Sequence, residues 1–280
     1  MKKKLFFAIL GLVCGLLLSP EETLAQQVYK RKPMFADASF TGFSDYPPFG
    51  YVINKRFHTV FRPILNTLVN EKKLLINSEY IRPDLDEIIN AMRRGDLDVF
   101  LGAYHETKMF KGLQLIYPAV INNPITVFML PARINEVKSV NDLKKLKGVR
   151  HANEFFSDFV EEKLQEFNVE KVDTSYKLFE KLFTKQADYI VAGQYFGLIE
   201  ASKLGLRSQV SVAKQALWQI PMFVAISQLS RNRTALTNIF NEHLKNPKNL
   251  EAIRQNIIAL VNQAEIDAEG IVPPTFGVEQ

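Results

Sequence analysis

Cysteine is nearly absent from this chain. Of 280 residues one is a cysteine, Cys14, and it lies inside an apolar run near the N-terminus. Downstream of that run no disulfide, thiolate nucleophile or cysteine metal site can form. The 13 glycines are scattered and make no phosphate-cradling loop. Neither G-x-S-x-G nor H-E-x-x-H occurs, which removes the common hydrolase and zinc-protease signatures. After Leu18 no apolar run approaches the roughly 20 residues that a membrane-spanning helix needs. The 35 Lys and Arg against 30 Asp and Glu leave a net charge of +5 without a basic stripe, so nucleic acid is excluded as a partner. What is present is ordinary for a folded protein: 47% hydrophobic and 23% charged residues.

The N-terminus is read first. Met1 to Lys4 is basic, Leu5 to Leu18 is apolar, Ser19-Pro20 breaks the run, and Thr23-Leu24-Ala25 supplies small residues at cleavage offsets. Residues 1–25 are expected to be a cleaved secretory signal peptide, which predicts a periplasmic protein. The bulky Leu12-Val13 before Cys14 argues against lipidation. Gln26 to Pro33 reads as a loose leader.

Hydrophobic periodicity then alternates. Ala36 to Phe43, Leu74 to Ile81 and Leu97 to Gly102 read as strands. Between them, Thr59 to Lys72 and Asp84 to Arg94 carry helical spacing; the second has acids in its first turn, arginines in its last and Gly95 as a stop. Strand-helix-strand-helix-strand is the signature of a parallel sheet with crossovers. Pro124 to Leu130 is a further strand, and a second block follows. It holds a short helix from Asn141, strands at 148–151, 170–173 and 189–192, and helices at 157–167, 175–184 and 193–204. A strand at Ile220 to Ser227 precedes two terminal helices near 232–244 and 249–264. The tail from Gly270 is expected to be irregular. The expected division is lobe 1 over 26–123, lobe 2 over 124–227 with hinge strands at both ends, and return helices over 228–280 packing on lobe 1. Two lobes joined twice leave a cleft between them.

Five stretches carry a family resemblance: Ser44-Asp45-Tyr46-Pro47-Pro48-Phe49; Gly95-Asp96-Leu97-Asp98-Val99 leading to Gly102; Ile116-Tyr117-Pro118; Ser139-Val140-Asn141-Asp142-Leu143 with Gly148-Val149; and Lys185 to Ala192. In this order and spacing the chain resembles the type II periplasmic solute-binding proteins, specifically the polar amino acid receptors of extracellular solute-binding protein family 3. The resemblance implies an α/β fold of two lobes, each a mostly parallel sheet flanked by helices, that closes over a small solute. It further implies delivery to an inner-membrane ABC transporter permease by a monomer without cofactor, metal or catalytic activity.

The resemblance also marks departures. In amino-acid receptors a Thr at the position of Thr107 precedes, by three residues, an Arg that grips the ligand carboxylate; here that position is Phe110. Lys108 and Lys111 cannot reproduce a planar two-point grip. The Asp that accepts the ligand ammonium falls near Gly193-Gln194, where no acid stands. A Gly-Thr/Ser pair is replaced by the run His151-Ala152-Asn153-Glu154-Phe155-Phe156-Ser157. Losing a hydrogen-bonded charge partner costs about 2–5 kcal/mol. A standard α-amino acid is therefore not the expected ligand, and a small polar or aromatic solute is.

The expected ligand-binding residues are Asp45, Tyr46, Phe49, Tyr104, His105, Thr107 and Lys108 from lobe 1, with His151, Asn153, Ser157 and Gln194 from lobe 2. Pro47-Pro48 stiffens the first of these loops, and its rings can stack on a planar or cationic solute. Lobe core is the plain alternative for Phe49 and Tyr51. His105 and His151 follow strands of opposite lobes with Glu106 and Glu154 adjacent, yet two histidines bonding solvent or ligand is the plainer reading than a metal site. Glu106, Glu154 and Asp45 do not amount to a paired-carboxylate hydrolase. A ligand-degenerate module acting in protein interaction or signalling is the alternative to a receptor.

Overall fold

The capping signals read at Asp84 and Ser157 are realised in the computed structural model, which describes residues 35–80, 84–105, 107–137 and 139–276. The expected signal peptide and leader, Glu106, and the last four residues lie outside the described residues. Lobe 1 begins with strand β1 (Ala36–Gly42), the short strands β2 (Asp45–Tyr46), β3 (Gly50–Ile53) and β4 (Arg56–His58), helix α1 (Arg62–Asn70) and strand β5 (Leu74–Glu79). Helix α2 (Leu85–Arg94) is capped by the Asp84 carboxylate, which accepts from the Asp86 and Glu87 amides, and it stops at Gly95 with φ of 80°. Strand β6 (Val99–Tyr104) follows.

The next strand departs from expectation. The segment read as a hinge strand from Pro124 belongs to β7 (Leu113–Met129). Pro118 and Pro124 are proline breaks that hide its first half in the sequence. The register against β12 (Trp218–Ser227) passes from Ile121 opposite Met222 to Ile116 opposite Val224. Pro118 therefore sits in the irregular stretch where no ladder amide is required.

Lobe 2 contains β8 (Lys147–His151), α3 (Asp158–Leu164), β9 (Asn168–Val172), α4 (Ser175–Phe183), β10 (Tyr189–Gly193), α5 (Gln194–Lys203) and the short β11 (Ser211–Val212). The helix expected from Asn141 is a 3-10 turn over Val140–Lys145 closed by a Ser139–Asp142 capping box. Helices α6 (Arg233–Leu244) and α7 (Pro247–Asp267) end the regular structure.

Among the described residues one sheet of nine strands runs β5-β1-β6-β12-β7-β10-β8-β9, with β11 on β7. Its two ends are parallel, β5-β1-β6 and β10-β8-β9. The middle is antiparallel, where β12 and β7 run past each other between the lobes. Beside it β2, β3 and β4 form a small sheet of their own. Phe40, Phe61, Leu65, Phe100 and Phe240 are fully buried in the core of lobe 1, and Phe128, Phe156, Phe179 and Tyr189 in that of lobe 2. Each such side chain contributes about 1.5–3 kcal/mol by leaving water.

The terminal helices differ from expectation in one respect. α6 and the start of α7 pack on lobe 1, where the Asn256 amide donates to the Val60 carbonyl at 2.9 Å. α7 also packs along α5 of lobe 2, and Arg207 pairs with Glu265 at 2.9 Å. The irregular tail continues over lobe 2, with Phe276 stacked on Phe183 at 5.3 Å. Helical spacing shows which face of α7 is apolar but not how many lobes that face covers.

Asp98, in the Gly95–Val99 stretch, holds lobe 1 together. Its carboxylate accepts from the Ser39 amide and hydroxyl, both at 2.9 Å, and from the Ser230 hydroxyl. It thereby joins β1, β6 and the turn after β12. Asp98→Ala leaves these donors unpaired, so a loss of about 2–3 kcal/mol is expected from urea unfolding, with partial recovery in Asp98→Asn. A loss below about 0.5 kcal/mol would contradict this role.

Candidate functional site

The site is built from the loop after β1. Asp45 and Tyr46 pair with Tyr51 and Gly50, and the Phe49 amide donates to the Tyr46 carbonyl at 2.9 Å. A Cβ on Gly50 would lie 2.2 Å from the Phe43 carbonyl oxygen, so the turn closes only with glycine. The β3–β4 hairpin turns through Asn54 and Lys55, both at positive φ, as two-residue hairpins require. Thr59 fastens the loop from below, its hydroxyl donating to the Phe49 carbonyl at 2.6 Å.

This scaffold aims the Tyr46 ring into the gap between the lobes. Its centroid lies 5.4 Å from Phe43 and 5.4 Å from Phe49 of lobe 1, and 5.5 Å from Phe196 of α5 in lobe 2. Phe49 meets Tyr195 edge-on at 6.1 Å, and Tyr104 approaches Phe155 at 6.3 Å. Aromatic pairs of this kind contribute about 0.5–1.5 kcal/mol each beyond their burial.

A polar cluster terminates the aromatic one. The Tyr46 hydroxyl accepts from Asn123 Nδ2 at 2.7 Å and donates to Glu154 Oε1 at 3.1 Å. Asn123 Nδ2 also reaches the Tyr104 hydroxyl at 3.3 Å. Glu154 Oε1 accepts from the Gly193 amide at 2.6 Å. Lobe 1, the crossing strand β7 and lobe 2 thus meet at one point. Tyr46 is 4% exposed, Asn123 and Tyr104 0%, and Glu154 1%. Among the described residues of this cluster two buried polar atoms have no hydrogen-bond partner: Asn123 Oδ1, an acceptor, and Glu154 Oε2, which carries the proton of the neutral carboxyl.

The electrostatics follow from burial. Loss of solvent pushes the Glu154 carboxyl up to about 8, against the opposing pull of the Gly193 amide and the Arg150 charge. Arg150 is itself occupied: its guanidinium forks onto Glu161 at 2.9 Å, donates to the Glu154 carbonyl, and lies 4.8 Å from the Phe156 ring. Burial raises the Tyr46 and Tyr104 hydroxyls above their ordinary range. At neutral pH the cluster is therefore uncharged.

The expected residues divide into groups. Tyr46, Phe49 and Tyr104 converge on the buried junction. Tyr104, His105, Thr107 and Lys108 line an open hollow of about 490 Å³, which Asp158 of α3 also reaches. There the Lys108 amide donates to Asp158 Oδ2 at 2.8 Å, a second contact between lobes. The Thr107 hydroxyl is turned to its own loop and accepts from the Phe110 amide at 3.3 Å. Ser157 caps α3 through the Val160 amide at 3.4 Å. Asp45 and Asn153 are exposed, and Gln194 is half-buried at the start of α5. His105 packs near Tyr117 and Phe223, whereas His151 packs on Phe196 and accepts from the Asn153 amide. Burial lowers the His151 pKa. Among the described residues no group of three or more His, Cys, Asp or Glu is placed to hold a metal.

Of the central residues, sequence reasoning does not single out Asn123, and it notes Glu154 only as a neighbour of His151 and a dismissed carboxylate candidate. In the sequence nothing local distinguishes the buried Glu154 from nearby acids such as Asp158, Glu161 and Glu162. Asn123 did leave a signal, being one of two adjacent asparagines inside a predominantly apolar strand.

Solved structures match this architecture. The ligand-binding core of GluR0 in complex with L-glutamate superposes with a TM-score of 0.63 at 14% identity, covering 79% of this chain and 98% of that one. An amino acid ABC transporter substrate-binding protein from Streptococcus pneumoniae bound to L-arginine gives 0.60 at 13%, covering 80% and 96%. A histidine kinase sensor domain similar to periplasmic binding proteins gives 0.58 at 15%, covering 87% and 100%. The chain has the two-lobed periplasmic binding protein fold. No protein-family model and no curated protein matches its sequence.

The raised Glu154 pKa makes stability depend on pH with a definite sign. The folded state holds this proton more tightly than the unfolded chain does. The contribution is full below about 4.5 and is lost as pH rises toward about 8. The Tm should fall by on the order of 5 °C more in the wild type than in Glu154→Gln between pH 5 and 8.5. Parallel pH profiles for the two proteins would show that Glu154 is not held protonated.

Proposed function

We propose that the protein is a periplasmic solute-binding protein that captures a small polar or aromatic solute, not a standard α-amino acid, and delivers it to an inner-membrane ABC transporter permease. One observation carries this reading: Tyr46, Tyr104, Asn123, Glu154 and the Gly193 amide converge from both lobes and the crossing strand on one uncharged, aromatic-walled point. A zwitterion would need an anion grip and a cation grip there. The nearby guanidinium of Arg150 is committed to Glu161, and Glu154 holds its proton. An uncharged solute meets neither penalty.

The proposed cycle follows from the contacts. Opening parts Tyr46 from Glu154 and Lys108 from Asp158. A solute then bonds one lobe, and the second lobe closes on it where contacts from both sides exceed those of the self-closed form. The role is binding rather than catalysis, a monomer suffices for it, and no cofactor enters.

A second reading has its own observation. Tyr46 already fills the gap and bonds across it, as a ligand-degenerate module in interaction or signalling would require; a sensor domain is among the structures of this fold. Thermal melting against a metabolite library separates the two. A receptor at a hundredfold excess over Kd gains about 2.7 kcal/mol, a Tm rise of several degrees, and that rise should diminish in Tyr46→Ala and Phe49→Ala. Mass spectrometry of small molecules released from the denatured protein should then identify the solute. No rise with any library member, and nothing released, would leave the module reading.

A further inference from the structure

We infer that the space now filled by the Tyr46 side chain is a binding site for the head of a neutral aromatic alcohol, with Tyr46 standing in for the solute. The inference rests on the receptor reading and names the solute class for that same site. Its walls fit an aromatic ring: Phe43, Phe49 and Phe196 surround it, all within 5.5 Å by centroid. Its floor fits one hydroxyl: Asn123 Nδ2 donates at 2.7 Å and Glu154 Oε1 accepts at 3.1 Å. A group that accepts one hydrogen bond and donates one, carried on a flat ring, satisfies both partners. A carboxylate would bring an uncompensated charge into this enclosure, and an aliphatic alcohol would leave the aromatic walls unfilled.

Three further observations bear on it. Asn123 Oδ1 and the protonated Glu154 Oε2 are buried and unpaired, so Tyr46 leaves one acceptor and one O–H donor that a solute with an additional polar group would use. Gly193 keeps the place open: a Cβ there would lie 2.5 Å from the Tyr46 hydroxyl oxygen, 3.0 Å from Asn123 Oδ1 and 3.1 Å from Glu154 Oε1. The backbone of the tyrosine also lies outside the large sheet. β2 is two residues long and pairs with β3 alone, in a sheet separate from the large one, so withdrawing Tyr46 breaks no ladder of the main sheet.

The test uses the full mature chain and its Tyr46→Ala variant, with phenol, the group that the substitution removes, and benzene as the control lacking a hydroxyl. Phenol is expected to raise the Tm of Tyr46→Ala at least twice as far as benzene at equal concentration. Adding Asn123→Ala should weaken phenol binding roughly tenfold and leave benzene unaffected. If Tyr46→Ala does not fold alone, a cooperative melting transition should return in phenol and not in benzene. The wild type should also respond to phenol, at higher concentration, because its own ring competes. Equal responses of the variant to phenol and benzene, or no recovery of folding in phenol, overturn the inference, while a wild-type response to another library solute would keep the receptor reading. A phenol-selective variant beside a wild type that binds no phenol at any concentration makes Tyr46 a permanent plug, and overturns both.

Discussion

Two long strands passing each other in opposite directions are the constraint on which the remainder depends. β7 and β12 are hydrogen-bonded from Leu113 opposite Ser227 to Ile125 opposite Trp218. β12 continues onto β6 in lobe 1, and β7 onto β10 in lobe 2. Each parallel half-sheet therefore hangs from one of the pair. Any change in the angle between lobes must be taken up in these strands, and the irregular stretch opposite residues 222–224 is where the ladder is already interrupted. The same geometry puts Asn123 opposite Ile220, between the lobes. A polar side chain in a buried strand needs partners within reach, and Tyr46 and Tyr104 supply them.

Charge compensation is arranged in layers on the lobe 2 side. Arg150 is 3% exposed and would be intolerable unpaired. Glu161, the partly exposed acid on α3, satisfies its fork. Glu154 does not act as the counter-ion: its side chain turns to the Gly193 amide and Tyr46, and only its backbone carbonyl accepts from Arg150. The loop 151–156 thus separates an ion pair, on one side, from a neutral hydrogen-bonding junction on the other. A junction without net charge can open to water or close on a ring without stranding an ion.

Much of the fold was legible because its signals are local. Asp84, the paired arginines 93 and 94, and Gly95 each have a capping reason that holds within one turn, and Ser157 behaves likewise. The expected strand of 97–102 slid by two residues, the usual fate of an apolar run without a sharp stop. The first half of β7 was illegible because Pro118 normally forbids a ladder strand and is tolerated here by an irregularity that the partner strand shares. The small β2–β3–β4 sheet was illegible too, since its turn uses Asn54-Lys55 in place of the glycine that ordinarily marks such hairpins. Of the site, the aromatic loop at Tyr46 and Phe49 was visible from its proline-stiffened setting. Its true partners were not, because Asn123 and Glu154 stand 77 and 108 residues from Tyr46 in sequence, and no periodicity reports a contact at that distance.

The neutral lining of the gap and the buried tyrosine are two sides of one arrangement. The gap presents the rings of Phe43, Phe49 and Phe196, the Asn123 and Gly193 amides and one protonated carboxyl. Such a surface gains little from remaining hydrated, so it collapses onto the nearest side chain of the right shape. Gly193 makes that collapse sterically permissible, because any larger residue would occupy the point where the Tyr46 hydroxyl arrives. The collapse is incomplete in one respect: it leaves the Asn123 amide oxygen and the Glu154 carboxyl O–H unpaired, each of which typically costs about 1–3 kcal/mol. A closed form that retains such a penalty at its centre is less stable than its packing alone would make it. That difference is the free energy available to any solute that restores the missing hydrogen-bond partners, provided that its own ring replaces the contacts Tyr46 gives up.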